Sequence, residues 1–229
     1  SLSLSLSLFY SLSCHCLVLS LSSAQLLVTF LICVVMGANT DLQTYVTTNQ
    51  WPYWVSLVSA LVCYFAFVCS PPAKVNKHPL NIIILMVITL LFGIFLGCVS
   101  ANYKLQSVYI SAAITAGISF GLMLFACQTK IDLTGKGMYI FGFFWTVFLI
   151  AIFMPAQAFE NEGLSIVLSS IWVLLFALFI VYDTQLILGG TKRHRQFSID
   201  SYVYAALNLY MDIINMFLLV LGMGGNRRS

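Results

Sequence analysis

Asp183 and Asp212 each sit inside a run of about 20 residues made up mostly of Leu, Ile, Val, Phe and Met. The chain has seven acidic residues, and the other five (Asp41, Asp132, Glu160, Glu162, Asp200) fall in the polar gaps between apolar runs. A carboxylate at a bilayer centre costs roughly 2.5–3.5 kcal/mol on insertion scales, so two of them call for a function. Around Asp212, Asn208 and Asn215 stand at i−4 and i+3 and share its helical face, with Tyr204 one turn further back. Around Asp183 the polar residues are adjacent in sequence: Tyr182, Thr184 and Gln185.

No Lys or Arg lies in any of the apolar runs to neutralise the pair. Two carboxylates sharing a site of low dielectric resist ionising together and are expected to share a proton when closed. Once both are ionised they repel and become ligands for a divalent cation. Calcium takes six to eight oxygens. Carbonyls from Asn208, Asn215 or Gln185 would add to the carboxylates and water would complete the set, giving a weak, permeable calcium site with no resident cofactor. In the bland alternative, Asp183 reaches the nearby interface and Asp212 hydrogen-bonds a neighbouring helix to set register. An intramembrane aspartyl protease also pairs Tyr-Asp on one helix with Asp on the next. Its second half requires Gly-x-Gly-Asp, whereas Leu209, Tyr210 and Met211 precede Asp212 here, so the sequence argues against an enzyme.

The elements that carry these residues are membrane helices. Hydrophobic residues make up 61% and charged residues 7% of the chain, where soluble domains have about 25% charged. The expectation is an all-α polytopic bundle with spans at about 17–38, 52–69, 80–101, 108–127, 138–155, 164–188 and 202–223, each close to the ~20 residues that cross a bilayer. A net charge of +3 is too small to suggest nucleic acid. Residues 1–21, opening on SLSLSLSL, read as a low-complexity segment that is not native, 22–225 as the membrane domain and 226–229 as a basic tail. The seven cysteines form no CxxC and read as small core residues, and the three histidines are far apart.

Lys and Arg set the orientation. The gaps 70–79, 128–137 and 189–201 hold seven of the ten basic residues, which places those gaps and the N-terminus in the cytosol. Lys192, Arg193 and Arg195 then form a cytosolic mouth beside the pair and attract anionic lipid. Arg227 and Arg228 conflict with this rule if the last segment crosses fully, so it is expected either to cross or to re-enter. Ser111, Thr115 and Ser119, at i, i+4 and i+8, either wet a path or bond neighbouring helices. The Gly93–Gly97 and Gly117–Gly121 pairs are expected to pack inside the bundle, with helix dimerisation as the alternative.

The stretch YDTQLILGG (182–190) followed by SYVYAALNLYMDIINMFLLVL (201–221) resembles the C-terminal signature of the transmembrane BAX inhibitor motif family, on the lifeguard branch that includes the glutamate receptor-associated protein. AQLLVTF (24–30), NQWPYWVS (49–56) and CQTKIDLTGKG (127–137) are weaker matches. The resemblance implies seven helices with the C-terminal one central, and a pH-sensitive aspartate pair at Asp183 and Asp212. It also implies a calcium leak channel of the endoplasmic reticulum or Golgi that restrains apoptosis. Its implied partners are calcium, protons, membrane lipids and apoptosis-regulating membrane proteins. The membrane-embedded Arg that bacterial relatives hold near the pair has no counterpart in the second span. The competing function is a non-conducting scaffold that binds cell-death regulators or receptor subunits.

Overall fold

The computed structural model describes residues 2–70, 79–153, 162–189 and 202–228, with side chains from Cys16 in the first stretch and from Gly163 in the third. Eight α-helices are present among them: α1 Leu2–Ala38, α2 Thr40–Thr48, α3 Trp51–Val68, α4 Leu80–Ser100, α5 Leu105–Gln128, α6 Gly137–Phe153, α7 Glu162–Leu188 and α8 Tyr202–Gly224. Helix is what such apolar runs must form, because lipid satisfies no backbone group and a helix bonds its own. Seven stretches, Cys16–Ala38, Trp51–Val68, Leu80–Ser100, Leu105–Gln128, Thr134–Phe153, Gly163–Leu188 and Tyr202–Gly224, are long and apolar enough to cross a membrane. They match the expected spans to within a few residues. The short α2 was not foreseen. Asn39 caps it by accepting from the Asp41 and Leu42 N–H groups, and Asp41 sits in its first turn, where the helix dipole favours an acid.

The chain divides into two compact units. The first comprises Ser1–Ile110, Ser198–Tyr210 and Gly225–Ser229. In it α4 packs between α1 and α3. Gly93 and Gly97 let it approach α1, for a Cβ at Gly93 would stand 2.7 Å from Ile32 Cδ1 and one at Gly97 would overlap Met36. Buried polar pairs tie this core together. Gln25 Nε2 donates to Thr89 Oγ1 at 2.8 Å, and the Thr29 and Tyr210 hydroxyls meet at 2.9 Å. Val18 and Ser22 of α1 are both buried, and Ser22 Oγ donates to the Ala206 carbonyl.

Helix α8 is unbroken from Tyr202 to Gly224, about 35 Å at 1.5 Å per residue, long enough to cross a bilayer and without the break that a re-entrant turn needs. Beyond it, Lys104 N–H donates to the Asn226 carbonyl and Arg228 N–H to the Asn102 carbonyl. The Arg228 guanidinium donates to the Gly37 carbonyl in the last turn of α1, and Arg227 lies over the Tyr103 ring. Both arginines therefore sit where α4 ends. They are held by backbone carbonyls and an aromatic face.

The second unit comprises Ser111–Phe197 and Met211–Gly224. Its α6 and α7 are joined by aromatic packing, with Phe144 stacked on Phe148 and edge-on to Trp172 and Phe179. Gly189, at φ 55°, closes α7 in the left-handed conformation that glycine adopts without strain, and its N–H returns to the Gln185 carbonyl. A Cβ at Gly117 or Gly121 would meet no described atom within 4 Å. That pair faces outward, which corrects the expectation that both glycine pairs pack inside the bundle. Buried positions on α8 include 205–207, 209–210, 213–214 and 216–217, which fall on one arc of about 200°, whereas Tyr204, Asn208, Met211, Asp212 and Asn215 on the other side are half-buried.

Candidate ion site

Asp183, Thr184 and Gln185 are 7%, 5% and 0% exposed. Three consecutive residues of a helix point in directions 100° apart, so α7 is covered over an arc of about 200° at this level, and Tyr182 and Leu186 on the remaining side are half-buried. Thr184 turns its hydroxyl back onto the Ile180 carbonyl. Gln185 reaches the connection between α5 and α6: its Oε1 accepts from the Leu133 N–H and its Nε2 donates to the Ile131 carbonyl, both at 2.9 Å. Tyr182, on the same side of α7, lies against Gly137, where a Cβ would come within 2.6 Å of its hydroxyl oxygen.

Asp212 is half-buried as a residue, but its Oδ2 is fully enclosed and has no hydrogen-bond partner among the described residues. Asp183 is the ionisable neighbour whose charge bears on it. Both aspartates belong to the second unit, and neither α7 nor α8 contains a Lys or Arg. Asn208 and Asn215 are half-buried on α8, and Asn215 Nδ2 donates to the Met211 carbonyl of its own helix. No group of three His, Cys, Asp or Glu able to hold a metal exists among the described residues. The pair thus offers two carboxylates, one of which has an oxygen that protein leaves unsatisfied.

Ser111, Thr115 and Ser119 are buried on one face of α5, also in the second unit. Hydroxyls elsewhere in the bundle fold back onto the carbonyl four residues earlier: Ser59 onto Val55, Thr89 onto Leu85, Thr146 onto Gly142, Ser170 onto Ile166. Thr115 Oγ1 and Ser119 Oγ do not, and neither has a partner among the described residues. The structure therefore brings polar side chains inward on α5, α7 and α8 and leaves three of their oxygens open. Lys192, Arg193 and Arg195 lie outside the described residues.

The grip of Gln185 and Tyr182 on the α5–α6 connection was missed by sequence reasoning, which offered the Gln185 carbonyl, alongside those of Asn208 and Asn215, as one of three that could add to a calcium shell. The connection itself carried a signal. Asp132 Oδ1 accepts from both the N–H and the hydroxyl of Thr134, the turn that Asp-x-Thr favours, and a 3-10 turn over Thr134–Lys136 follows.

Residues 14–229 match the family model described as Inhibitor of apoptosis-promoting Bax1. The chain belongs to the BAX inhibitor family. It is 31% identical over 214 residues to protein lifeguard 3 of Mus musculus, covering 90% of this chain and 66% of that one. Against the Homo sapiens lifeguard 3 the figures are 32% over 212 residues, 92% and 67%. With protein lifeguard 4 of Mus musculus they are 36% over 143 residues, 62% and 57%. The chain thus spans about two thirds of the length of the lifeguard 3 proteins it matches. Its seven apolar helices and its family make it a multi-pass membrane protein.

Proposed function

We propose that this chain is a pH-sensitive calcium leak channel of an intracellular membrane, the endoplasmic reticulum or Golgi, that modulates calcium content and restrains apoptosis. One observation carries the reading: a buried, unpartnered carboxylate oxygen on Asp212 with Asp183 as its neighbour, in helices that hold no cation. Structural polar groups in lipid find partners, and an open one at a carboxylate fits a site meant for a mobile ion. With one proton between them, the two carboxyl groups hold α7 and α8 together. As pH rises and the proton leaves, like charge separates them and the same oxygens receive calcium. Two carboxylates supply at most four of the six to eight oxygens calcium needs, so hydration completes the shell and the ion leaves readily. The open Thr115 and Ser119 hydroxyls support a wetted approach along α5. No resident cofactor and no catalytic step are part of this reading, and the restraint of cell death follows the family's description.

The experiment is calcium efflux from liposomes holding the purified protein, across a pH series. Efflux that rises with pH, and that loses this dependence in Asp183→Asn and Asp212→Asn, is the expected result. A folded protein that passes no calcium at any pH would sink the leak and leave the scaffold function standing. Tagged protein confined to the plasma membrane would overturn the organelle assignment.

A further inference from the structure

Asp183 and Gln185 are two residues apart, so they project from nearly opposite sides of α7, whereas Tyr182 and Gln185 share a side at i, i+3. One side of the helix therefore presents the carboxylate and the other grips the α5–α6 connection. That grip is strong for its size. Gln185 is fully buried and spends both ends of its amide on backbone, taking the Leu133 N–H and giving to the Ile131 carbonyl. The connection is stiff where it is gripped: Asp132 binds the N–H and hydroxyl of Thr134, which is itself fully buried. Tyr182 against Gly137 fixes the start of α6 one turn away.

We infer that Gln185 is a positioning residue, a latch that ties α7 to the α5–α6 connection from behind and limits how far the Asp183 side can move from α8. The inference rests on the leak reading, because the latch opposes the separation of α7 and α8 that opens the path. A glutamine suits this role: it is neutral and long enough to reach two backbone groups, and its bonds are of ordinary strength, so they break and reform as the helix moves.

Two variants remove the latch from opposite ends. Gln185→Met keeps the volume and loses both bonds. Leu133→Pro deletes the donor N–H without touching α7, at a residue whose φ of −87° lies near what a proline ring holds. The readouts are amide hydrogen exchange at Leu133 in nanodiscs and calcium efflux from liposomes at neutral pH. In Gln185→Met, Leu133 exchange should rise roughly tenfold or more, the scale of losing buried bonds. Efflux should rise severalfold in Gln185→Met and less in Leu133→Pro, which leaves the bond to the Ile131 carbonyl, and the double should leak no more than Gln185→Met. Gln185→Glu, which keeps the accepting oxygen, should fall between wild type and Gln185→Met. Unchanged Leu133 exchange, or additive efflux effects, or a freed connection with wild-type efflux, would each overturn the latch. If the wild-type protein passes no calcium, the leak reading fails by itself, and Leu133 exchange alone then decides whether Gln185 holds the connection.

Discussion

Replacing Thr115 by valine separates a wet path from a dry core. The two side chains have the same shape and the same β-branching, so the exchange removes one hydroxyl and little else. Thr115 is 2% exposed and its Oγ1 has no hydrogen-bond partner. In a dry bundle such a hydroxyl costs about 1–3 kcal/mol, and valine would return that energy. At about 2–4 °C per kcal/mol for a chain of this size, Thr115→Val would then raise Tm by roughly 2–12 °C. Ser119→Ala, at the other open hydroxyl on the same face, would add a comparable gain. In a wet path, water already bonds both groups, and a bridging water is nearly as good a partner as protein. The substitutions then leave Tm within about 2 °C of wild type and dry the approach to Asp212, lowering calcium efflux severalfold. The leak reading requires the second outcome. Thermal unfolding in detergent, followed by intrinsic fluorescence, and efflux from liposomes give both numbers on the same preparations. A double variant that melts well above wild type and leaks calcium at the wild-type rate would refute the reasoning, because the hydroxyls would then have been unsatisfied in a closed core.

Asp212→Asn and Asp183→Asn should each flatten the rise of efflux with pH and weaken calcium sensitivity with little loss of folding, and the double should add little to either; additive losses would mean the two do not share a site. Gly97→Leu should lower Tm by about 2–12 °C, since overpacking against Met36 costs about 1–3 kcal/mol at about 2–4 °C per kcal/mol. Gly117→Ala should instead hold or raise stability by up to about 1 kcal/mol, because its Cβ meets nothing and alanine favours helix; a fall in Tm or a change in oligomeric state, read by light scattering, would show that face to be covered. Neutralising Lys192, Arg193 and Arg195 should increase efflux and leave its pH midpoint in place, with added salt mimicking the change; a midpoint shift of about one unit would make the loop part of the sensor.

The helices were legible because hydropathy alone forces them: an apolar run of this length has one way to satisfy its backbone in lipid, and span ends moved by only a few residues. Glycine spacing was less informative. Gly93–Gly97 and Gly117–Gly121 look alike in sequence, yet one receives Ile32 and Met36 while the other meets no described atom, because spacing says how close a helix can come and not whether one is there. The short α2 went unseen although Asn39 and Asp41 spell a helix start, since hydropathy windows average over its nine residues, most of them polar.

Gln185 shows where sequence reasoning about the site stops. An amide near two carboxylates reads as a third ligand, because ligand chemistry depends on residue type, and type is all that a sequence displays. Direction decides the matter in the structure. Two residues along a helix reverse the side, so the Gln185 amide faces the backbone of a connection that begins more than fifty positions earlier in the chain. The spacing of Asp183 and Gln185 contained that reversal, but nothing in the sequence said what waited on the far side. Asp183 therefore has two constraints, charge from Asp212 on one side of its helix and hydrogen bonds to the α5–α6 connection on the other. On the proposed leak reading, the carboxylates supply a force that changes with pH, and the inferred latch supplies the resistance against which that force does work.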